Sequence, residues 1–536
     1  MLISHNSRKT ISLLIVFFMA LFVRLLPVFS TGLPYNYDSW VYIQQVKYAL
    51  QHKFAGNIFD YFKINADTIF SYTLNNITII SYVAPLICSF IIFPVYFLTK
   101  NLSDDHSASV FASLLAAVSG IFANQTNHLS SESISLLMIA FIAFFSYGTM
   151  IKRDSTHLAL LLILSTLLSF VNDLTSLLVL CAFGIMFLTI VLSKLKLTIH
   201  TYLPFTILIF IQFFRIILDP ARTKLTFTLL GGALATLLFF VIIISLFRWH
   251  AKSEFVLRRI IIWSVSLTII IAFLIGVYAA KLAPSNQMNN VLVSLSFHLI
   301  PYSIILLFPG LIGSYTRLSK TRDVLNRLFI IIWCVTPLII GFLMFVPNTP
   351  LLDFNLINYL LLGAFPMIGI GLSTLLSSGE NKWKPVKGFV TSYFLLALTI
   401  MSFPLAIQMF NHNQFYYLPE MNAAKWASIH VLTPTIIDSD YRMGVLLQCF
   451  IEDSQIKLGD KSSWLGEVSE SEVIYPLEGI VEYVVITDSM STHGLVRQGF
   501  WLPIPLQQDI IEYLDNSPKV NRIFCNGEVT IYKVNE

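Results

Sequence analysis

Long apolar runs broken by short polar patches fill the first three quarters of this chain. The apolar residues do not alternate at strand spacing, nor do they keep to one face at helical spacing. Runs of about 20 residues with few charges read as membrane-spanning helices, because only a closed helix satisfies its own backbone in lipid. The breaks between runs predict about 13 spans. They lie near residues 11–30, 77–99, 107–123, 132–150, 157–171, 174–192, 201–218, 225–247, 260–279, 291–313, 328–346, 354–376 and 388–408. No internal repeat or low-complexity stretch interrupts them.

Beyond about residue 409 the pattern changes: Asp, Glu, Asn and Ser return and the apolar runs shorten. Glu420 to Val431 reads as a helix, Thr435 to Ile437 as a short strand ending at Asp438, Val481 to Ile486 as a strand, and Gln507 to Leu514 as a helix. Arg522 to Tyr532 reads as a hairpin about Asn526-Gly527, a pair that suits a type I′ turn. The expected fold is a polytopic α-helical membrane protein with a small C-terminal extracytoplasmic α/β domain. The transmembrane domain covers 1–408, with a first outer loop over 31–76, and the soluble domain covers 409–536. That last stretch, roughly 120 residues, is long enough for its own core.

Composition agrees: 56% of residues are apolar, 12% are charged, and mean hydropathy is +0.74. A soluble protein of this length would carry far more charge. The net charge of +4 says nothing for nucleic acid, and none is expected as a partner. Its placement is more telling. With a cytoplasmic N-terminus, the inner segments hold Arg8, Lys9, Lys100, Lys152, Arg153, Lys194, Lys196, Arg248, Lys252, Arg258, Arg259, Arg317, Lys320, Arg322, Arg327, Lys382, Lys384 and Lys387. The opposite short loops hold only Arg222, Lys224 and Lys281. This is the positive-inside bias, and with an odd number of spans it puts the C-terminal domain outside. The first run, Ile11 to Phe29, is longer than a signal core and is expected to stay as an anchor in the cell membrane.

The five cysteines show no metal spacing. Cys88, Cys181 and Cys334 lie in apolar runs as buried thiols, and the pairing of Cys449 with Cys525 is left open.

Once the orientation is fixed, the acids sort by side. Asp104, Asp105, Asp154, Glu254, Asp323 and Glu380 fall among inner cations as solvated charge, whereas Asp38, Asp60, Asp67, Glu132, Asp173, Asp219 and Asp353 lie outside. A carboxylate at a span end needs a partner or a wet cavity. Asp38 stands out, ringed by Tyr35, Tyr37, Trp40 and Tyr42, with Arg24 about a turn below the surface. The plain reading is an interface belt of aromatics. The functional reading makes Asp38 a general base, or an anchor for a metal or sugar hydroxyl, with the aromatics stacking on a sugar. Glu132 either sits in the favourable first turn of a helix or serves as a second active-site acid. Asn172-Asp173 is a hairpin tip or a polar notch. Arg24 and His128 are candidates for phosphate binding, although an Arg there also snorkels to the surface. Asp438-Ser439-Asp440 has a carboxylate pair at metal-like spacing, but after a strand it reads as a solvated loop.

These features together resemble the GT-C superfamily of membrane glycosyltransferases, which move sugars from polyprenyl-phosphate carriers. Tyr37-Asp38-Ser39-Trp40-Val41-Tyr42 resembles that superfamily's first-loop acidic motif. Asn127 through Leu136 is similar to the region of its second acid, with Glu132 at that position. Val171-Asn172-Asp173-Leu174-Thr175 looks like a further outer polar turn. Tail and topology resemble the oligosaccharyltransferase catalytic subunits. The Trp-Trp-Asp-Tyr-Gly motif of those enzymes is absent, Ser463-Trp464-Leu465-Gly466-Glu467 being the nearest piece. The outer loop near 281–290 is short, and a single Glu stands where an acidic pair is usual.

The resemblance implies an inverting glycosyltransferase, moving a hexosyl or pentosyl group from a polyprenyl-phosphate donor to a glycan, lipid or protein acceptor at the outer face of the cell envelope. Monosaccharide transfer is favoured over en bloc transfer to Asn. Catalysis would fall to Asp38 and Glu132. Substrate binding would fall to Tyr37, Trp40, Tyr42, Arg24, His128, Asp173 and Arg222, with Lys224 or a divalent metal as further ways to meet phosphate charge. The sequence does not require a metal and offers no dedicated ligand set. The rival reading is a transporter or flippase of lipid-linked glycans. It predicts charges or broken helices near the bilayer middle, often in repeated halves.

Overall fold

The computed structural model describes residues 5–36, 39–41, 43, 77–128, 130–192, 198–218, 355–377, 416–431, 436–451, 482–492, 495–497, 500–502, 506 and 508–534. The expected spans near 225–247, 260–279, 291–313, 328–346 and 388–408 lie outside these residues. Two compact units emerge. Unit 1 comprises 1–24, 86–126 and 131–406, and unit 2 comprises 25–85, 127–130 and 407–536.

The helical elements are α1 (His5–Thr31), α2 (Ile77–Ser89), α3 (Ile92–Ser103), α4 (His106–Val118), α5 (Gly120–Gln125), α6 (Ser131–Met150), α7 (Ser155–Val171), α8 (Asp173–Leu192), α9 (Ile199–Leu218) and α10 (Asn355–Ser377). Lys9–Thr31, Ser81–Ser103 and Ser131–Met150 are long and apolar enough to cross a membrane, and shorter apolar helices accompany them. Two expected spans are broken. Pro94 cannot donate to Phe90, so the Phe90 carbonyl instead accepts from Phe93 at 3.0 Å, and a turn separates α2 from α3. At Ser119, ψ swings to 113° ahead of Gly120, ending α4 and starting α5.

Small residues let the helices of unit 1 approach closely. A Cβ built on Gly369 of α10 would meet the Ala108 carbonyl oxygen of α4 at 2.4 Å and the Ala112 Cβ at 2.8 Å. Such close backbone approach is how helices pack where lipid offers no hydrophobic drive. Ser373 also donates to the Asp105 carboxylate, which caps α4 by accepting from Ser107 N at 2.9 Å. At the same end of the bundle, His106 bridges Ser12 of α1 at 3.0 Å and Tyr96 of α3 at 2.7 Å.

Unit 2 contains a mixed sheet in the order β1-β2-β6-β5. Its strands are β1 (Ile437–Asp438), β2 (Tyr483–Thr487), β5 (Val520–Cys525) and β6 (Val529–Val534), and a separate ribbon pairs β3 (Leu495–Arg497) with β4 (Phe500–Leu502). The helices are α11 (Leu418–His430), α12 (Tyr441–Phe450), α13 (Asp488–Thr492) and α14 (Gln508–Asn516). Strand β2 runs parallel to β1 and antiparallel to β6, and every residue of it is buried. α11, β1, β2, α14 and the β5–β6 hairpin lie close to where the sequence pattern put them, whereas α12, α13 and the β3–β4 ribbon have no counterpart in that pattern. The hairpin turn does not have the expected type I′ form: Gly527 alone has positive φ (+92°), while Asn526 accepts Val529 N through Oδ1 at 2.9 Å. Gly527-Glu528 are therefore the central pair, and Gly in first place is the type II′ pattern.

Candidate functional site

α1 ends where Gly32 N donates to Val28 O at 2.7 Å. The chain beyond it is fastened by its own side chains. Ser39 Oγ donates to Tyr35 O at 2.8 Å, and the Trp40 indole N–H donates to Pro34 O at 3.3 Å. Trp40 is fully buried in the core of unit 2, its ring 5.3 Å from that of Tyr416, and its carbonyl accepts from Cys449 Sγ at 3.2 Å. The expected sugar-stacking surface is thus, at Trp40, a packing surface that ties the segment after α1 to the C-terminal helices. Tyr37, Asp38 and Tyr42 lie outside the described residues, as do Arg222 and Lys224. Tyr35 is buried, and that burial pushes its phenol well above its ordinary range.

The rings of Tyr35 and His128 meet edge-on, 6.3 Å between centroids, within unit 2. His128 is buried, with Nδ1 3.2 Å from Asn127 Oδ1. Asn36 and Asn127, which respectively follow Tyr35 and precede His128 in the chain, are buried as well. No role is legible for either in the sequence, although Asn127 begins the stretch that resembles the second-acid region.

Arg24 belongs to unit 1 and is fully buried. Its Nε donates to Thr126 Oγ1 at 2.8 Å. One terminal nitrogen donates to Ala20 O at 3.1 Å and Ala117 O at 3.3 Å, and the other to Ala116 O at 3.2 Å. Ala116 and Ala117 end α4, where helix carbonyls lack intrahelical donors. The guanidinium therefore caps α4 at the break before α5, a place where the helix dipole favours a cation. Phosphate binding was the expectation; in the structure four of its five N–H groups serve the bundle.

Glu132 occupies the first turn of α6 and is half-buried. Among the described residues no hydrogen bond or ion pair engages its carboxylate. Asn172 and Asp173 form no separate loop. Asn172 caps α8, its Oδ1 accepting from Thr175 N at 3.0 Å and Thr175 Oγ1 at 2.9 Å, and Asp173 opens the helix. Thr175 Oγ1 lies 2.6 Å from Tyr359 OH, which ties α8 to α10.

In unit 2, Asp438-Ser439-Asp440 is buried, contrary to the solvated loop expected. Ser439 donates to Val485 O at 3.2 Å, and Asp440 caps α12 through Met443 N at 2.8 Å. Glu420 and Arg442 form a buried ion pair between α11 and α12, with the guanidinium 5.2 Å over the Tyr416 ring. Burial pushes the Glu420 carboxyl up, and the Arg442 charge opposes it. No disulfide joins Cys449, which is buried, to Cys525, which is exposed. Among the described residues no group of three His, Cys, Asp or Glu side chains is placed to hold a metal.

No protein-family model matches the chain, and no curated protein matches it. Solved structures do. The oligosaccharyltransferase AglB of Archaeoglobus fulgidus, in complex with an inhibitory peptide and a dolichol-phosphate, aligns at TM-score 0.58 and 15% identity. The alignment covers 90% of this chain and 70% of that one. The Archaeoglobus fulgidus oligosaccharyltransferase in its apo form aligns at TM-score 0.56, again at 15% identity over 90% and 70% of the two chains. ArnT of Cupriavidus metallidurans, bound to undecaprenyl phosphate, aligns over 97% of both chains at 8% identity, but with a TM-score of 0.49.

Proposed function

From the premise that this chain has the polytopic fold of the GT-C membrane glycosyltransferases, we propose that it moves a sugar from a polyprenyl-phosphate donor to an acceptor at the extracytoplasmic face. The observation that carries this reading is the fold shared with AglB across 90% of the chain. That enzyme was solved with a dolichol-phosphate, and a lipid phosphate of this kind is the leaving group the proposed reaction releases.

In this reading Asp38 takes the proton from the acceptor hydroxyl as that oxygen attacks the anomeric carbon. The bond from that carbon to the phosphate oxygen breaks, and the lipid phosphate leaves with the electron pair. A general base must reach the attacking oxygen, so Asp38 needs a pinned backbone. The hydrogen bonds from Ser39 and Trp40 supply fixed points beside it. Glu132 and Asp173 position sugar hydroxyls or share the base role. His128, Tyr37, Tyr42 and Arg222 line the donor and meet the phosphate charge, which lowers the barrier to its departure. Trp40 and Arg24 enter as supports, one for the outer segment and the other for the broken span. The C-terminal unit, placed outside the membrane, holds the acceptor. Purified protein in proteoliposomes, given labelled polyprenyl-phosphate sugars and envelope glycans, lipids and peptides, tests this. Transfer from at least one donor is expected, and silence across all donor and acceptor classes contradicts it.

A further inference from the structure

Two buried side-chain amides, on segments leading to the two proposed catalytic acids, have an atom with no protein partner. Asn36 lies two residues before Asp38, is 7% exposed, and has an Oδ1 that accepts no hydrogen bond among the described residues. Its backbone sits at φ +67°, a left-handed conformation uncommon for a residue with a side chain, though Asn adopts it more readily than most. Asn127 lies five residues before Glu132, is 1% exposed, and has an Nδ2 with no acceptor, while its Oδ1 faces His128. The contact between Tyr35 and His128, the neighbours of these two residues, packs the two segments together.

Buried polar atoms are almost always paired, because a bare one forfeits its hydration without return. Here one amide offers an acceptor and the other a donor. An anion would satisfy only Asn127, and a cation only Asn36. Hydroxyls answer both, because each can donate to the Asn36 oxygen or accept from the Asn127 nitrogen, and the neighbouring hydroxyls of a sugar ring offer both at once. Resting on the glycosyltransfer reading above, we propose that Asn36 and Asn127 read hydroxyl groups of the donor sugar and set which sugar is accepted. They are specificity residues of the donor site and take no part in proton transfer.

The test separates binding from transfer. Thermal unfolding in detergent is followed with bare polyprenyl phosphate and with polyprenyl-phosphate sugars, for wild type, Asn36→Gly and Asn127→Leu. Glycine keeps the left-handed backbone, and leucine fills a similar volume with no polar atom to satisfy. Asn127→Asp, which has the same shape with its donor replaced by an acceptor, serves where Leu does not fold. The wild type is expected to gain a shift from the sugar beyond that from the bare phosphate, and each variant to lose at least half of that extra shift. Where transfer is measurable, discrimination between the preferred donor and its deoxy analogue is expected to fall about tenfold. A wild type with no sugar-dependent shift, or variants that keep both shift and discrimination, overturns the proposal. A sugar-dependent shift lost in the variants, with no transfer by the wild type, leaves the amides' role standing and removes the transfer reading instead.

Discussion

Replacing Arg24 by Met tests whether this buried cation supports the fold or serves the substrate. The change strips donors from Ala116 O and Ala117 O, carbonyls of fully buried residues at the end of α4. Each buried carbonyl left bare costs about 1–3 kcal/mol, so the gross loss is about 2–6 kcal/mol. Removing the guanidinium also relieves its own desolvation, which returns part of that. A net destabilisation of roughly 2–4 kcal/mol follows from those two terms. Thr126 is little affected, because its hydroxyl still donates to Phe122 O at 2.7 Å. Arg24→Gln retains two N–H donors and should recover part of the stability. The assay pairs thermal unfolding in detergent with the donor KM, and the expected result is a lower Tm with an unchanged KM. If Arg24→Met unfolds at the wild-type temperature while its donor KM rises tenfold, the guanidinium serves phosphate and the capping account is wrong.

Three further outcomes follow from the packing and the C-terminal unit. Gly369→Val pushes a side chain into the Ala108 carbonyl and Ala112, and overpacking of this kind costs about 1–3 kcal/mol; an unchanged Tm would show that α4 and α10 are not in that contact. Arg442→Met leaves the Glu420 carboxyl buried without its partner, a loss of about 3–5 kcal/mol. Glu420 already has a raised pKa, so its contribution is present below the unfolded value and is lost as pH rises through the folded one. Unfolding of Arg442→Met should therefore become easier as pH rises through that range, and a variant that gains stability instead contradicts the pair. Cys525 is exposed, with its thiol held below the ordinary range by the Gly527 N–H and the Thr530 hydroxyl. A maleimide should label it at a lower pH than a free thiol while Cys449 stays unlabelled in the folded protein; equal labelling of the two would refute the placement.

Where an interaction is local, the sequence carries it. The apolar runs mark α6, α7, α8 and α10 because each satisfies its own backbone, and β1, β2 and the β5–β6 hairpin appear as short apolar runs beside turn residues, while the short β3–β4 ribbon does not. What it hides is long-range partnership. Arg24 reads as a residue able to snorkel, because the break that frees the α4 carbonyls lies some 90 positions along. Such breaks belong to the rival transport reading as well, but here the carbonyls released at Ser119 are occupied by Arg24. Trp40 reads as a surface aromatic because its partner, Tyr416, comes from the far end of the chain. Asp438 to Asp440 reads as solvated because acids are rarely buried, yet a cap on α12 and a bond to β2 place the segment in the core. Asn36 carries no motif, and Asn127 only opens the stretch that leads to Glu132; burial without a partner is what brings both forward.

The central claim is carried by Asp38. The direct test is sugar transfer from polyprenyl-phosphate donors in proteoliposomes, comparing wild type with Asp38→Asn at equal expression and equal Tm. Transfer by the wild type is expected, with a loss of about a hundredfold or more in the variant, the scale of a missing general base. Transfer at the wild-type rate by Asp38→Asn would contradict that claim.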